Sequence, residues 1–156
     1  DEQLRSNPKD FSNFYNVFQN PLYSKNQTES QQIYQEMRQI CSNYEGDRLL
    51  LGEIVDTNIQ VLANSLNDGL HLAYKFNFIF SKKFSAKIFQ QNQLEYQRII
   101  ETESKINWIN FVLSNHDNHR HTTRFLESNP IIQINKMKLL ATLIILNKGT
   151  PTLYYG

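Results

Sequence analysis

Two short apolar runs that stop abruptly on polar residues constrain this chain more than any other feature. Leu49-Leu50-Leu51 ends at Gly52-Glu53, and Phe111-Val112-Leu113, which follows Trp108, ends at Ser114-Asn115-His116-Asp117. A continuous apolar run this short, without strict alternation, is the pattern of a strand buried on both faces. Such strands belong to parallel sheets covered by helices. Helical periodicity appears between and around them. From Thr28 to Tyr44 the residues Ile33, Met37, Ile40, Cys41 and Tyr44 fall on one face of an amphipathic helix, which a turn through Gly46 ends. Phe84, Ile88, Tyr96, Ile99 and Ile100 predict a second helix across Ser85 to Thr102. Ile131 to Leu146 is apolar on nearly every face, so it is expected as a buried helix packed between layers. Asn147-Lys148-Gly149 closes it, with Gly149 suited to the left-handed position and Pro151 just beyond.

Two further strands complete the pattern. The aromatic-rich segment His71 to Phe80 is one, and Thr152 to Tyr155 opens the other. A polar loop containing Asn67-Asp68-Gly69 is expected before His71, and a long connection between Asp117 and Ile131. The order is close to a β/α repeat, and the class is α/β. Two parallel architectures compete, the open doubly wound sheet and the closed barrel. The chain has only 5 glycines, and no GxGxxG turn among them, which removes the usual mark of the open dinucleotide-binding sheet.

Charge and cysteine content exclude several functions. A net charge of +1, with no basic run, argues against nucleic acid as a partner, because phosphate binding needs clustered Lys and Arg. The apolar stretch from Leu139 to Leu146 is closed by Lys148 and falls far short of the roughly 20 residues that cross a bilayer. The single cysteine, Cys41, can form neither an internal disulfide nor a CxxC metal motif. Asn26-Gln27-Thr28 fits the N-glycosylation triplet, which slightly favours a secreted or lysosomal/vacuolar location.

The polar residues at the strand ends carry the chemistry. In (β/α)8 enzymes the active site forms at the carboxyl ends of the strands, where loops converge above a rigid barrel. Glu53 and Asp117 are two carboxylates in that position, and a carboxylate there is expected to be poorly hydrated, at a cost that function can justify. Equally, from pattern alone, Glu53 fits a surface loop and His116-Asp117 a helix cap. Two carboxylates on one rim suggest glycoside hydrolysis, in which an acid protonates the leaving oxygen and an anion meets positive charge on the sugar ring. His116 is suited to hydrogen-bond a sugar hydroxyl. His116, His119 and His121 match no zinc spacing, so no metal site is expected.

These residues bring a known family into view. Asn110-Phe111-Val112-Leu113-Ser114-Asn115-His116-Asp117-Asn118-His119-Arg120 resembles the NHD segment at the seventh barrel strand of the α-amylase superfamily, glycoside hydrolase family 13. Leu51-Gly52-Glu53-Ile54 is similar to its fifth-strand GE motif, and Gly149-Thr150-Pro151-Thr152-Leu153-Tyr154-Tyr155-Gly156 to the GTP-x-x-YYG segment of the eighth. Asp1-Glu2-Gln3-Leu4-Arg5 and the stretch from Leu70-His71-Leu72 to Asn77-Phe78 resemble the α-glucosidase, maltase and oligo-1,6-glucosidase branch. His119 departs from the proline common at that position in α-glucosidases.

The resemblance implies a partial (β/α)8 TIM barrel, roughly strands five to eight with their helices, and residues 1–156 as the C-terminal half of one catalytic domain with no second domain. It implies Glu53 as general acid/base, Asp117 as the carboxylate that grips the sugar and stabilises the transition state, His116 as a hydrogen-bonding partner of that sugar, and Arg120 as support for the loop. The implied parent is a retaining α-glucosidase acting on maltose and short α-glucans, with an oligosaccharide as its partner and no cofactor in this segment. The nucleophile, two residues after an arginine on the fourth strand, would precede Asp1, as would any calcium site. An endo-acting α-amylase and a non-catalytic relative similar to transporter heavy chains are the alternatives. A barrel closes with eight strands over about 250 residues, and four strand candidates leave open edges, so the segment alone is expected to be inactive and prone to aggregate.

Overall fold

Each of the first three strands is followed by a helix because parallel neighbours cannot be joined by a tight turn and need a crossover. The computed structural model describes residues 6–12, 18–56, 58–106 and 108–155, and the two ends of the expected motifs, Asp1 to Arg5 and Gly156, lie outside them. In chain order the elements are α1 (Thr28–Ser42), β1 (Leu51–Gly52), α2 (Ile59–Leu66), β2 (Leu72–Lys75), α3 (Ala86–Glu103), β3 (Asn110–Val112), α4 (His121–Arg124), α5 (Pro130–Leu146) and β4 (Thr150–Thr152). The four strands form one sheet in sequence order, with every pairing parallel. That is the strand order of an arc of a (β/α)8 barrel.

Side-chain caps start helices α2 and α5. Asn58 Oδ1 accepts from Gln60 N at 3.0 Å, Asn129 Oδ1 accepts from Ile131 N at 2.9 Å and Ile132 N at 3.3 Å, and Pro130 fills the first turn of α5. Helix α2 takes up part of the stretch between Glu53 and His71 expected as polar loop, while Asn67-Asp68-Gly69 form the expected turn. Ile59, Leu62, Ala63 and Leu66 lie on one buried face, spaced as a helix requires, and they pack against α3 and β2. Strand β4 begins two residues earlier than Thr152 and stops there, because Asn110, Phe111 and Val112 of β3 pair with Thr150, Pro151 and Thr152.

Two glycines have conformational reasons. Gly46 adopts φ +81°, the left-handed turn after α1 that its lack of a side chain permits. Gly149, at φ +158°, also lies in the positive-φ range that residues with a side chain rarely adopt. Close approach adds a second reason, since a Cβ there would lie 2.6 Å from Phe111 Cε2 and 2.7 Å from the Ile109 carbonyl oxygen.

The main core fills the space between one face of the sheet and the helices. Ala73, Phe111 and Leu113 from the strand side meet Leu62 and Leu66 of α2, Phe89, Tyr96 and Ile100 of α3, and Leu140 and Ile144 of α5. Aromatic edges dominate it, with Phe78 against Phe89 at 5.6 Å, Phe84 against Phe125 at 5.9 Å and Tyr96 against Phe111 at 5.9 Å between ring centroids. Each fully buried ring of this kind contributes about 1.5–3 kcal/mol by area alone. A smaller cluster of Phe76, Ile79 and Val112, with Tyr74, lies on the other side of the sheet.

Burial on both faces holds only for β3, whose three residues are all buried. Leu49 is 60% exposed and Leu51 41%, because β1 is an edge of the sheet and, among the described residues, no strand covers its inner side. The fully buried helix expected over Ile131 to Leu146 is corrected likewise. Leu140 and Ile144 are buried, whereas Ile131, Leu139 and Leu146 stand exposed on the side of α5 that no described element covers.

Lys75 stands out in this core at 1% exposure. Strand alternation points it at α3, where Nζ donates to the Asn92 carbonyl at 2.7 Å and lies 4.9 Å from the Phe78 ring centre and 4.6 Å from that of Tyr96. Burial pulls its ammonium down to about 7 from 10.5, with the nearby Glu95 charge pulling the other way. From pH 7 to 10.5 the unfolded chain holds a proton that the folded chain has released, so stability rises with pH across that window. Below it the cost of burying the charge is present in full. Lys75→Met is therefore expected to raise the urea midpoint near neutral pH and to remove most of the gain that the unsubstituted chain shows by about pH 9.5. The same pH trend in both chains would refute this account.

Candidate active site

The site residues follow directly from the strand ends. Gly52 closes β1 and Glu53 comes next, while Val112 closes β3 and the loop from Leu113 to Arg120 comes next. Because β1, β2 and β3 run parallel in one sheet, both groups emerge at the same edge. They meet through one side chain: Asn115 Nδ2 donates to Glu53 Oε1 at 3.2 Å. Asn115 is itself held, since its Oδ1 accepts from Asn118 N at 3.1 Å and Asn118 Nδ2 at 2.9 Å.

His116 and Asp117 pair with each other, Nε2 to Oδ1 at 3.5 Å, and their side chains are 66% and 65% exposed. Glu53 is exposed as well. The expected poor hydration of the two carboxylates is thus corrected: they project beyond the sheet, and no described element faces them from across its inner side. Arg120 joins two of the motifs. Its Nη1 donates to the Tyr154 carbonyl at 3.2 Å, and its guanidinium carbon lies 4.1 Å from the Tyr154 ring centre, so it braces the loop after Asp117 on the segment after β4.

The residue that ties this loop to the most segments was not among the sequence candidates. Arg124, in α4, donates from Nε to the His119 carbonyl at 3.1 Å, from Nη1 to the carbonyls of Ser81 at 3.0 Å and Phe78 at 3.4 Å, and from Nη2 to the Leu113 carbonyl. One guanidinium fork therefore ties the ends of β2 and β3 together. Burial pulls Arg124 below the ordinary arginine range, though an arginine keeps its charge. Ser114, 3% exposed, lies 2.8 Å from His121 Nδ1 and accepts from His121 N at 2.9 Å. Burial, followed by the charges of Arg124 and Arg120, lowers the His121 pKa and keeps its ring neutral for that contact. An Arg seven residues after Asp117, within a polar connection, carries no periodic signal, which is why pattern alone passes over it.

The remaining candidates are placed elsewhere. Asn26 of the glycosylation triplet donates from Nδ2 to Asp56 Oδ2 at 2.6 Å. Among the described residues no group of three or more His, Cys, Asp or Glu is arranged to hold a metal ion. No described helix is long and apolar enough to cross a membrane.

Comparisons with known proteins agree with the geometry. Residues 5–156 match the family described as alpha amylase, catalytic domain. Among solved structures, the chain is similar to XgtA, an α-glucosyl transfer enzyme, with a TM-score of 0.75 and 23% identity over 99% of this chain. The chain spans 30% of the length of that protein. Among curated proteins none matches the sequence.

Arg124→Lys tests the loop architecture. A single ammonium cannot reach carbonyls on three separate segments, so the substitution is expected to cost about 1–3 kcal/mol in denaturant unfolding, close to the loss from Arg124→Met. Full stability in the lysine variant would mean that charge, not the fork, holds the strand ends.

Proposed function

Because the chain belongs to the alpha-amylase catalytic-domain family, we propose that it supplies one part of a barrel enzyme that acts on α-glucosidic bonds of maltose and short α-glucans, with retention of configuration. The observation that carries this reading is the bond between Asn115 and Glu53, which supports a common site for the carboxylate after β1 and the His116-Asp117 pair after β3. Four parallel strands with polar residues gathered at one edge are what such a site requires.

Each residue has a distinct task in this reading. Glu53 gives its proton to the glycosidic oxygen as the bond from that oxygen to the anomeric carbon breaks, and the electron pair leaves with the oxygen, which departs as an alcohol. A third carboxylate, on a strand that precedes β1 in the barrel and outside residues 1–156, bonds to the anomeric carbon. Water then attacks that carbon, gives its proton to Glu53 and releases the carboxylate. When a sugar hydroxyl replaces water, the same two steps transfer the glucosyl group, the outcome named for XgtA. Asp117 holds hydroxyls of the sugar and faces the charge that develops on its ring; His116, beside it, donates to the same sugar. Arg120 braces their loop on Tyr154. An exo-acting α-glucosidase needs a pocket and an endo-acting amylase a cleft, so the two differ in the loops around this edge.

Two substitutions in the full-length gene product test the assignment. Glu53→Gln is expected to lower kcat on maltose by about 10²–10⁴-fold with little change in KM, since proton transfer is lost and the pocket is kept. Asp117→Asn is expected to cost more than about tenfold in kcat/KM. Glucose release and chromatography of the products read both the rate and the balance of hydrolysis against transfer. Unchanged turnover in Glu53→Gln would remove that residue from the chemistry.

A further inference from the structure

We propose that Asn115 is a positioning residue for the acid, fixing which oxygen of Glu53 carries the proton to the leaving group. The inference rests on the glycosidase reading of the site and adds to it. Its basis is the direction of one amide. Asn118 N is a backbone donor and can only give a hydrogen bond, so the atom of Asn115 that receives it at 3.1 Å is the oxygen. Asn118 Nδ2 reaches the same oxygen at 2.9 Å. With Oδ1 held twice, the amide nitrogen has one orientation, and it points at Glu53 Oε1.

The consequence for the carboxyl group follows from hydrogen-bond inventory. An oxygen that accepts an N–H from Asn115 offers its lone pair to that contact, and in the neutral acid the proton sits on the other oxygen, Oε2. Oε2 then delivers the proton as the glycosidic bond breaks, and Oε2 recovers one when water attacks. Among the described residues no other side chain hydrogen-bonds this carboxylate. Glu53 is exposed and its neighbours Leu51 and Val55 are exposed too, so packing does little to fix its rotamer. Asn115 supplies that order through a polar latch anchored on the backbone of the same loop.

The latch also couples the two halves of the site. Asn115 precedes His116-Asp117 by one and two positions, so the contact that orients the acid sets its distance from the residues that hold the sugar. Misplacement by about 1 Å in such an arrangement is enough to cost about a hundredfold in rate.

Leaving-group dependence tests the proposal in the full-length gene product. Maltose has a poor leaving group and needs the proton; α-glucosyl fluoride departs with little protonation. Asn115→Ala is expected to lose about tenfold or more in kcat/KM on maltose and less than about threefold on α-glucosyl fluoride. Asn118→Ala, which removes one of the two contacts on Oδ1 and leaves Asn115 in place, is expected to show the same selectivity with a smaller loss. If both variants lose equally on the two substrates, Asn115 only shapes the pocket and the proposal is wrong. Glu53→Gln separates this failure from that of the underlying reading when kcat/KM, which reports the glycosylation step alone, is compared. Collapse on maltose with a retained value on the fluoride upholds Glu53 as the acid, while turnover on both falls because deglycosylation loses its base. Equal effects on the two kcat/KM values, or none, would bring down the acid assignment itself.

Discussion

Every feature of the site depends on the parallel pairing of β1, β2 and β3. A parallel ladder makes each strand deliver its carboxyl end to the same edge, and it forces each return connection to cross over the sheet as a helix. Glu53 and Asn115 lie sixty-two positions apart in sequence, yet the register that matches Gly52 to Ala73 and Lys75 to Phe111 brings them to one hydrogen bond. An antiparallel β3 would send its loop, and Asn115 with it, to the opposite edge. The helices matter through the same constraint. Without α2 and α3 covering the outer face, Ala73, Phe111 and Leu113 would have no core to enter, and the pairing would lose most of its driving force.

A parallel sheet that ends in polar loops leaves carbonyls with no ladder partner, and this chain answers them with arginine. Leu113, Phe78 and Ser81 end or follow strands at the functional edge, and Arg124 donates to all three. Arg120 does the same for Tyr154 after β4. A guanidinium suits this task because its fork holds several donors in fixed directions, so one side chain satisfies carbonyls from separate segments and sets their spacing. The loop bearing His116 and Asp117 is thereby fastened on both sides, to β2 by Arg124 and to β4 by Arg120, while its own interior is closed by Ser114 on His121 and Asn115 on Asn118. Rigid scaffolding around solvated side chains is the arrangement that functional loops generally need.

How far the sequence could be read depends on whether the deciding contact is local. Strands β1 and β3 are legible as apolar runs that stop on polar residues, and α1, α3 and α5 as periodic stretches, because each pattern reports a face the element buries against its neighbours. Helix α2 shows the limit. Ile59, Leu62, Ala63 and Leu66 have the right spacing, but eight residues containing Asn64 and Ser65 form a helix only when packing against α3 and β2 stabilises it. The bounds of β4 were illegible for a related reason: Thr150 and Pro151 enter the sheet by pairing with Asn110 and Phe111, and no property of the GTP segment itself reveals that register. At the site, Glu53, His116, Asp117 and Arg120 are visible as residue types at strand ends, whereas Arg124 acts through carbonyls of residues more than forty positions away. Long-range acceptors leave no mark on the donor's own neighbourhood.

The same distinction separates what this segment determines about the chemistry from what it leaves to other surfaces. One hydrogen bond between the β1 and β3 loops, Asn115 to Glu53, and the contact of His116 with Asp117 lie within the described residues. The dielectric around them is another matter. At 66% and 65% exposure, His116 and Asp117 interact mostly through water, where a charge pair is worth little. On the proposed reading, stabilising an ion-like sugar by several kcal/mol requires that water be excluded, and the inner side of this sheet has no described element opposite it to do so. Exposed Leu49 and Leu51 on β1, and Leu153 and Tyr155 beyond β4, are apolar surface at the two open margins of the arc. Closing a barrel across those margins would bury that surface and, in the same step, dry the space above the carboxylates. Stability and electrostatic strength are thus supplied together by closure, while geometry is already present in the arc.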